Sequence, residues 1–290
     1  MSDLYQPVTI AAALAALSDL GAQGAVMAGG TWIMRAPLRQ EPMARTYVAT
    51  WRIPTLHQIE ITETHVRIGS GITHAGLAEE LHEILELRGL VAAASGSANP
   101  AVRQVATLGG NICTSGFYAA DLVPALLCQN AEVDVETLQD RQRMSLQTFL
   151  EVRGALPAYL LTGVLIPRRP VISAHARLPL RKAGDYPVTI VSAAVERRAD
   201  GTIGDAAIGV GSVEMTARRW RRLEEAVLGL PLNARRIEKC ATDLAEEFIG
   251  RDGPETPGWY RVQVLPALVR RAFENLEKLS PEEGRHVDPH

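Results

Sequence analysis

Two short segments carry the residue types that hold a diphosphate. Ala28-Gly29-Gly30-Thr31 closes a short apolar run, Ala25-Val26-Met27-Ala28, and Thr107-Leu108-Gly109-Gly110-Asn111 lies further along the chain. A diphosphate leaving water needs its negative charge solvated. Consecutive backbone N–H groups at a glycine turn do this, because the absent side chains let the chain approach closely. Thr31 adds a hydroxyl to the first segment; Thr107 and Asn111 add a hydroxyl and an amide to the second. Neither loop contains Lys or Arg, so amides and hydroxyls would carry the binding. With 24 glycines in the chain some pairs arise by chance, and either loop alone is an ordinary turn more often than a ligand site. Neither reads G-x-G-x-x-G or G-x-x-x-x-G-K-S/T, which excludes a Rossmann or P-loop assignment.

Other chemistry is sparse. His57, His65, His74, His82 and His175 lack metal-ligand spacing, and each reads as a packed or solvated side chain. No Ser-His-Asp set is recognisable. Cys113, Cys128 and Cys240 are far apart with no C-x-x-C, against both a disulfide framework and a chain-internal iron–sulfur cluster with its four thiolates. The sequence therefore offers no catalytic residue of its own and no metal ligand. Its 290 residues, 47% hydrophobic and 22% charged, suffice for a large core and about two domains. Thirty Lys plus Arg against 33 Asp plus Glu leave a charge of −3, no electrostatic reason to bind nucleic acid or acidic lipid. No apolar run reaches the ~18 residues of a membrane span, and the N-terminus lacks a signal-peptide pattern, so a cytoplasmic location is expected.

The elements that must position the two loops follow from periodicity and punctuation. Thr9 is a candidate N-cap for a helix whose apolar stripe is Ala13, Leu14 and Leu17 and whose stop is Gly21. The run before Gly29 suits a buried strand, and Val66-Arg67-Ile68 has strand alternation. Thr73 is placed to cap a helix running through Leu77, Leu81, Ile84 and Leu85 to a stop at Gly89. Residues 95–116 read as irregular, 122–127 as a short helix, and 133–135 and 160–166 as strands. Pro167-Arg168-Arg169-Pro170 marks a domain boundary. Beyond it, 174–180, 188–195 and 205–210 read as three strands, with Asp200-Gly201 a turn between the last two. Two helices follow, one over 234–248. In the other, Val262, Leu265, Val269, Ala272, Leu276 and Leu279 form one apolar face, and Pro266 marks a kink or a start. The tail from Ser280 is polar.

Taken in order, these segments resemble the flavin-carrying medium subunit of molybdenum hydroxylases, the xanthine dehydrogenase and carbon monoxide dehydrogenase group. The first loop matches that family's strand and A-G-G-T. Val102-Arg103-Gln104-Val105-Ala106-Thr107-Leu108-Gly109-Gly110-Asn111 resembles its I-R-N-x-A-T-L-G-G-N, with Gln104 in place of Asn. Ala119-Ala120-Asp121-Leu122-Val123-Pro124-Ala125-Leu126-Leu127 resembles its A-A-D-x-x-P-A-L-L, and Arg181-Lys182-Ala183-Gly184-Asp185-Tyr186 its R-K-x-G-D-Y. The likeness runs from about residue 5 to about residue 278. Trp32 departs from it, standing where the family has Asp or a small polar residue, and residues 115–118 form an altered loop.

The resemblance implies an α+β fold. A vanillyl-alcohol-oxidase (PCMH) type FAD-binding domain of two α+β subdomains would occupy 1–170. A C-terminal domain with a three-stranded antiparallel sheet and helices would occupy 171–280, leaving a tail over 281–290. It implies that Met27, Ala28, Gly29, Gly30, Thr31 and Trp32, with Thr107, Leu108, Gly109, Gly110 and Asn111, hold the FAD pyrophosphate and adjoining ribose. Thr114 and Asp121 would fall in a contacting stretch and Leu161 on the adenosine or flavin side. Lys182 and Tyr186 would approach the ring, a cation stabilising the negative charge of its reduced form and an aromatic shielding it. The implied role is an oxidoreductase subunit carrying electrons between the [2Fe–2S] clusters of a small partner and NAD, oxygen or another acceptor. A large partner would hold the molybdopterin cofactor, in a dimer of heterotrimers. Two rivals remain: a self-sufficient flavin oxidase of the same fold, for which no general base is apparent, and a non-enzymatic module that has lost FAD, which Trp32 favours.

Overall fold

The computed structural model describes residues 2–180, 186–253 and 256–279. Three sheets organise them. The first is small and parallel, with β1 (Asp3–Tyr5), β3 (Thr46–Ala49) and β2 (Gly24–Met27) in that spatial order. Helix α1 (Ile10–Leu20) packs on it. Thr9 caps α1 by accepting a hydrogen bond from the Ala12 amide, and Gly21, at φ +50°, ends it in a conformation that favours glycine. Ala13, Leu14 and Leu17 are buried against Val48, Ile53 and Leu56. The expected buried strand before Gly29 is only half right. β2 is the sheet's edge, and Val26 is 38% exposed.

The second sheet is antiparallel, in the order β4 (Ile59–Ile61), β5 (His65–Gly69), β8 (Leu160–Pro167), β6 (Glu132–Glu136), β7 (Arg141–Ser145). Alternate residues of its central strands, Val66 and Ile68, Val133 and Val135, Val164 and Ile166, enter one core. That core is completed by α2 (His74–Glu80), α3 (Arg88–Gly96), α5 (Leu108–Cys113), α6 (Leu122–Cys128) and α7 (Leu146–Val152). A further short helix, α4 (Pro100–Arg103), lies between α3 and α5.

Two expectations fail in this region for identifiable reasons. The helix capped by Thr73 ends at Glu80, and Gly89 sits inside the next helix instead of stopping the first. A Cβ at Gly89 would lie 3.0 Å from both the Ala174 amide nitrogen and the Ser173 hydroxyl, so this glycine lets α3 press onto the following sheet. Residues 95–116, read as irregular, contain the end of α3, α4 and α5. Their Asn and Thr include caps: Asn99 accepts from the Val102 amide, and Thr107 from that of Gly110.

The third sheet contains the three expected antiparallel strands, β9 (Ile172–Pro179), β10 (Pro187–Arg197) and β11 (Ile203–Gly211). A two-residue strand, β12 (Arg218–Arg219), adds itself to the edge of β11. Gly201, at φ +80°, makes the expected turn between β10 and β11. Helices α8 (Arg221–Val227), α9 (Ala234–Leu244), α10 (Gly258–Gln263) and α11 (Leu265–Leu279) complete this half. Pro266 falls in the first turn of α11, where its missing N–H costs nothing. The helix expected over 234–248 is α9 followed by a single tight turn, Ala245–Glu247.

Helix α6 joins the halves. A Cβ at Gly209 of β11 would lie 2.4 Å from the Pro124 carbonyl oxygen, so helix and strand meet backbone to backbone. Cys128 at its end donates to the Ser192 carbonyl at 2.9 Å and accepts from the Gly209 amide at 3.0 Å. At its start, the Asp121 carboxylate makes no cap bond and instead accepts from Arg177 Nε of β9 at 3.0 Å, with His175 Nε2 3.6 Å away. No helix among the described residues is long and apolar enough to cross a membrane.

Candidate functional site

A cleft of about 1220 Å³ lies between the parallel sheet, the short helices and the heads of β9 and β10. Both diglycine bends are on its wall. They touch: a Cβ at Gly29 would sit 1.7 Å from the Val105 carbonyl oxygen, so only glycine permits the first bend to lie against the segment entering the second. The cleft is larger than the roughly 300–1,000 Å³ of ordinary small-molecule sites.

The first bend leaves its donors unpaired among the described residues. Gly30 adopts φ +71°, and the carbonyls of Gly30 and Trp32 accept from the amides of Met34 and Arg35, both at 3.0 Å, in the tight helical turn Ile33–Arg39. The amides of Gly29, Gly30, Thr31 and Trp32 donate to no group among the described residues. Successive free N–H groups in such a bend form an anion-binding concavity.

The second bend, by contrast, uses its donors internally. Leu108 donates to the Ile72 carbonyl at 2.9 Å, Gly109 to that of Ser70 at 2.8 Å, Gly110 to the Thr107 hydroxyl at 3.1 Å, and Asn111 to the Thr107 carbonyl at 2.9 Å. The Asn111 side chain accepts from the Leu122 amide. Gly109 is required because a Cβ there would lie 2.8 Å from that of Ser70. Among the described residues, then, the amides of the second bend are taken by internal acceptors and those of the first are not.

Of the other expected residues, Thr114, Asp121, Leu161 and Tyr186 line the same cleft. Met27 and Leu108 do not. The Met27 carbonyl takes the Thr50 amide, and Leu108 points into the core. Lys182 lies outside the described residues. Trp32 is on the wall with its indole in contact with the Arg39 guanidinium, 4.0 Å from the ring centroid, and with Phe117 at 4.8 Å. Tyr186 meets the edges of both rings, 6.2 Å from Trp32 and 5.6 Å from Phe117.

Sequence reasoning misses the cations of the cleft. Arg35, Arg39 and Arg177 line it, although neither glycine loop contains one. A local signal existed for two of them, Arg35 and Arg39 being four apart in one helical segment, whereas Arg177 is carried to the cleft by β9. His74 is another cleft residue. Its Nδ1 is 2.6 Å from the Ser97 hydroxyl, and burial pulls its pKa down to about 4. Burial pushes the Cys113 thiol up to about 12. Neither group is poised for proton transfer or nucleophilic attack near neutral pH. No cluster of His, Cys, Asp and Glu suited to a metal occurs among the described residues. The arrangement suits the binding of a large anionic dinucleotide and contains no evident acid–base pair.

Comparison with known proteins agrees with this geometry. Residues 1–169 match the family model described as the FAD-binding domain in molybdopterin dehydrogenase, and 175–276 match the C-terminal domain of the carbon monoxide dehydrogenase flavoprotein. The xanthine dehydrogenase FAD-binding subunit of Escherichia coli O157:H7 is 26% identical over 276 residues, covering 93% of this chain and 94% of that one. The carbon monoxide dehydrogenase medium chain of Afipia carboxidovorans is 28% identical over 293 residues, covering 94% and 95%. Among solved structures, the reconstituted carbon monoxide dehydrogenase from Oligotropha carboxidovorans shares the fold, with a TM-score of 0.88 at 22% identity over 97% of this chain and 99% of that one.

Proposed function

We propose, since the chain belongs to the family of FAD-binding domains of molybdopterin dehydrogenases, that it is the electron-transfer subunit of a heteromeric molybdenum hydroxylase. It is an FAD-carrying oxidoreductase subunit. In this reading it receives electrons from the [2Fe–2S] clusters of a small partner and passes them to NAD, oxygen or another acceptor. A large partner holds the molybdopterin cofactor, and the assembly is a cytoplasmic dimer of heterotrimers. When bound, FAD supplies a carrier that takes electrons singly and gives them in pairs.

One observation supports this above the rest: the two bends converge on one cleft, and the first offers four unpaired amides to a diphosphate. Gly29 to Trp32 would hold that group, with the Thr31 hydroxyl beside them. Thr107, Gly109, Gly110, Asn111 and Thr114 would form the opposite wall, which excludes water and keeps the electrostatic contact strong. Asp121, fixed by Arg177, would face the polar chain between diphosphate and ring, and Leu161 an apolar surface. Lys182 and Tyr186 would meet the ring. We place the division between the two domains at Pro167 to Pro170, giving 1–170 and 171–280, with a tail over 281–290. Isolation of the tagged full chain tests the reading. The expected product is yellow, carries about one FAD per chain, and brings down an iron–sulfur and a molybdenum subunit. A colourless, stable chain without companions would refute it.

A further inference from the structure

We propose that Arg35 is a positioning residue that acts through Tyr186 on the ring end of the bound cofactor; this rests on the reading above that Tyr186 meets the flavin ring. Arg35 Nη1 donates to Tyr186 Oη at 3.0 Å, joining the helical turn after the first bend to the residue that leads into β10. Arg35 itself is anchored to that bend, since its amide donates to the Trp32 carbonyl. The diphosphate-facing loop and the ring-facing tyrosine are thus connected by one side chain.

The two arginines of the turn differ in commitment. Arg39 is held by Glu41 at 2.6 and 2.9 Å and lies over Trp32. Among the described residues, Tyr186 is the one hydrogen-bond partner of the Arg35 guanidinium. A guanidinium has donors only, so Arg35 occupies a lone pair of the phenol oxygen and the Tyr186 proton must be directed elsewhere. Trp32 and Phe117 both contact the Tyr186 ring, at 6.2 and 5.6 Å between centroids. Tyr186 lines the cleft, and with the guanidinium on its oxygen the phenol is left to act there as a donor. A donor at the flavin ring stabilises the charge of its reduced form and so raises its reduction potential.

The test is a double-mutant cycle read as midpoint potential, on the full chain isolated with whatever subunits accompany it. Arg35→Leu is expected to retain FAD and to lower the flavin potential in the same direction as Tyr186→Phe. Adding Arg35→Leu to Tyr186→Phe should lower it no further, and Arg35→Lys, which keeps a donor, should recover most of the loss. A wild-type potential in Arg35→Leu would overturn the inference. So would an equal drop in the Tyr186→Phe background, which would make Arg35 a direct charge effect, or loss of FAD from Arg35→Leu, which would make it a binding residue. A wild-type chain isolated without flavin would overturn the underlying reading as well.

Discussion

The bends at Gly29-Gly30 and Gly109-Gly110 share a sequence pattern and lie against each other, yet they use their amides in opposite ways. At the first, the carbonyls of Gly30 and Trp32 turn back into a helical turn, and the four N–H groups of these cleft-lining residues are unpaired among the described residues. At the second, Leu108 and Gly109 donate to the loop before α2, and Gly110 and Asn111 donate to the Thr107 cap residue. The difference teaches that glycine sets where a backbone can go, whereas its neighbours decide whether the donors remain free. A diglycine motif is a ligand site only where the acceptors nearby are already satisfied.

That contrast can be broken most severely at Gly29. Gly29→Ala forces a methyl into the Val105 carbonyl, a backbone contact that no rotamer relieves. The expected cost is about 3 kcal/mol of stability together with loss of flavin, measured by urea unfolding and by flavin content. A stable, yellow Gly29→Ala protein would mean the bends do not touch.

Acid should loosen the second bend from beneath. His74 donates its amide to Ala106, and its buried ring has a folded pKa of about 4 against an ordinary 6.5. The unfolded chain therefore takes up the proton first. Stability present above pH 6.5 is lost as the pH falls towards 4, by about 3 kcal/mol in all. His74→Gln should flatten that limb of the pH–stability curve; an unchanged slope would detach His74 from it.

Gly109→Ala comes next. Its new methyl meets Ser70 within one half of the protein, so about 2 kcal/mol is expected, with flavin retained by the molecules that fold. The smallest effects sharpen the comparison most. Thr107→Ala removes the cap of α5 and should cost about 1 kcal/mol in a thermal or urea melt. Thr31→Ala, whose hydroxyl has no partner among the described residues, should leave the melt unchanged and speed FAD release. The reverse pattern would exchange the roles of the two bends.

How much of this was legible in the sequence depended on burial. The strands of the third sheet are readable because β10 is buried on both faces and reads as an apolar run. β7 is not, because Arg141-Gln142-Arg143-Met144-Ser145 is an edge strand held by its backbone pairing to β6, and edge pairing leaves no apolar signature. β1, at three exposed residues, is silent for the same reason. Gly89 misleads because a glycine that admits a neighbouring strand looks identical in sequence to one that ends a helix. The two bends were visible as glycine pairs with flanking hydroxyls. Which one keeps its amides was not, because the acceptors that occupy the second, at Ser70 and Ile72, arrive from another part of the chain. Arg177 reached the cleft in the same way, by sheet pairing rather than sequence proximity.

The buried Asp121–Arg177 pair has a consequence for hybrids. Its acid comes from the first half of the chain and its base from the second, and the buried Asp121 carboxylate would lose its guanidinium donor in a poorly solvated place if that base were missing. A chimaera that grafts one relative's flavin half onto another's C-terminal half must therefore inherit acid and base as a matched set. A cross that supplies the acid without the base should misassemble even though each parental half is sound.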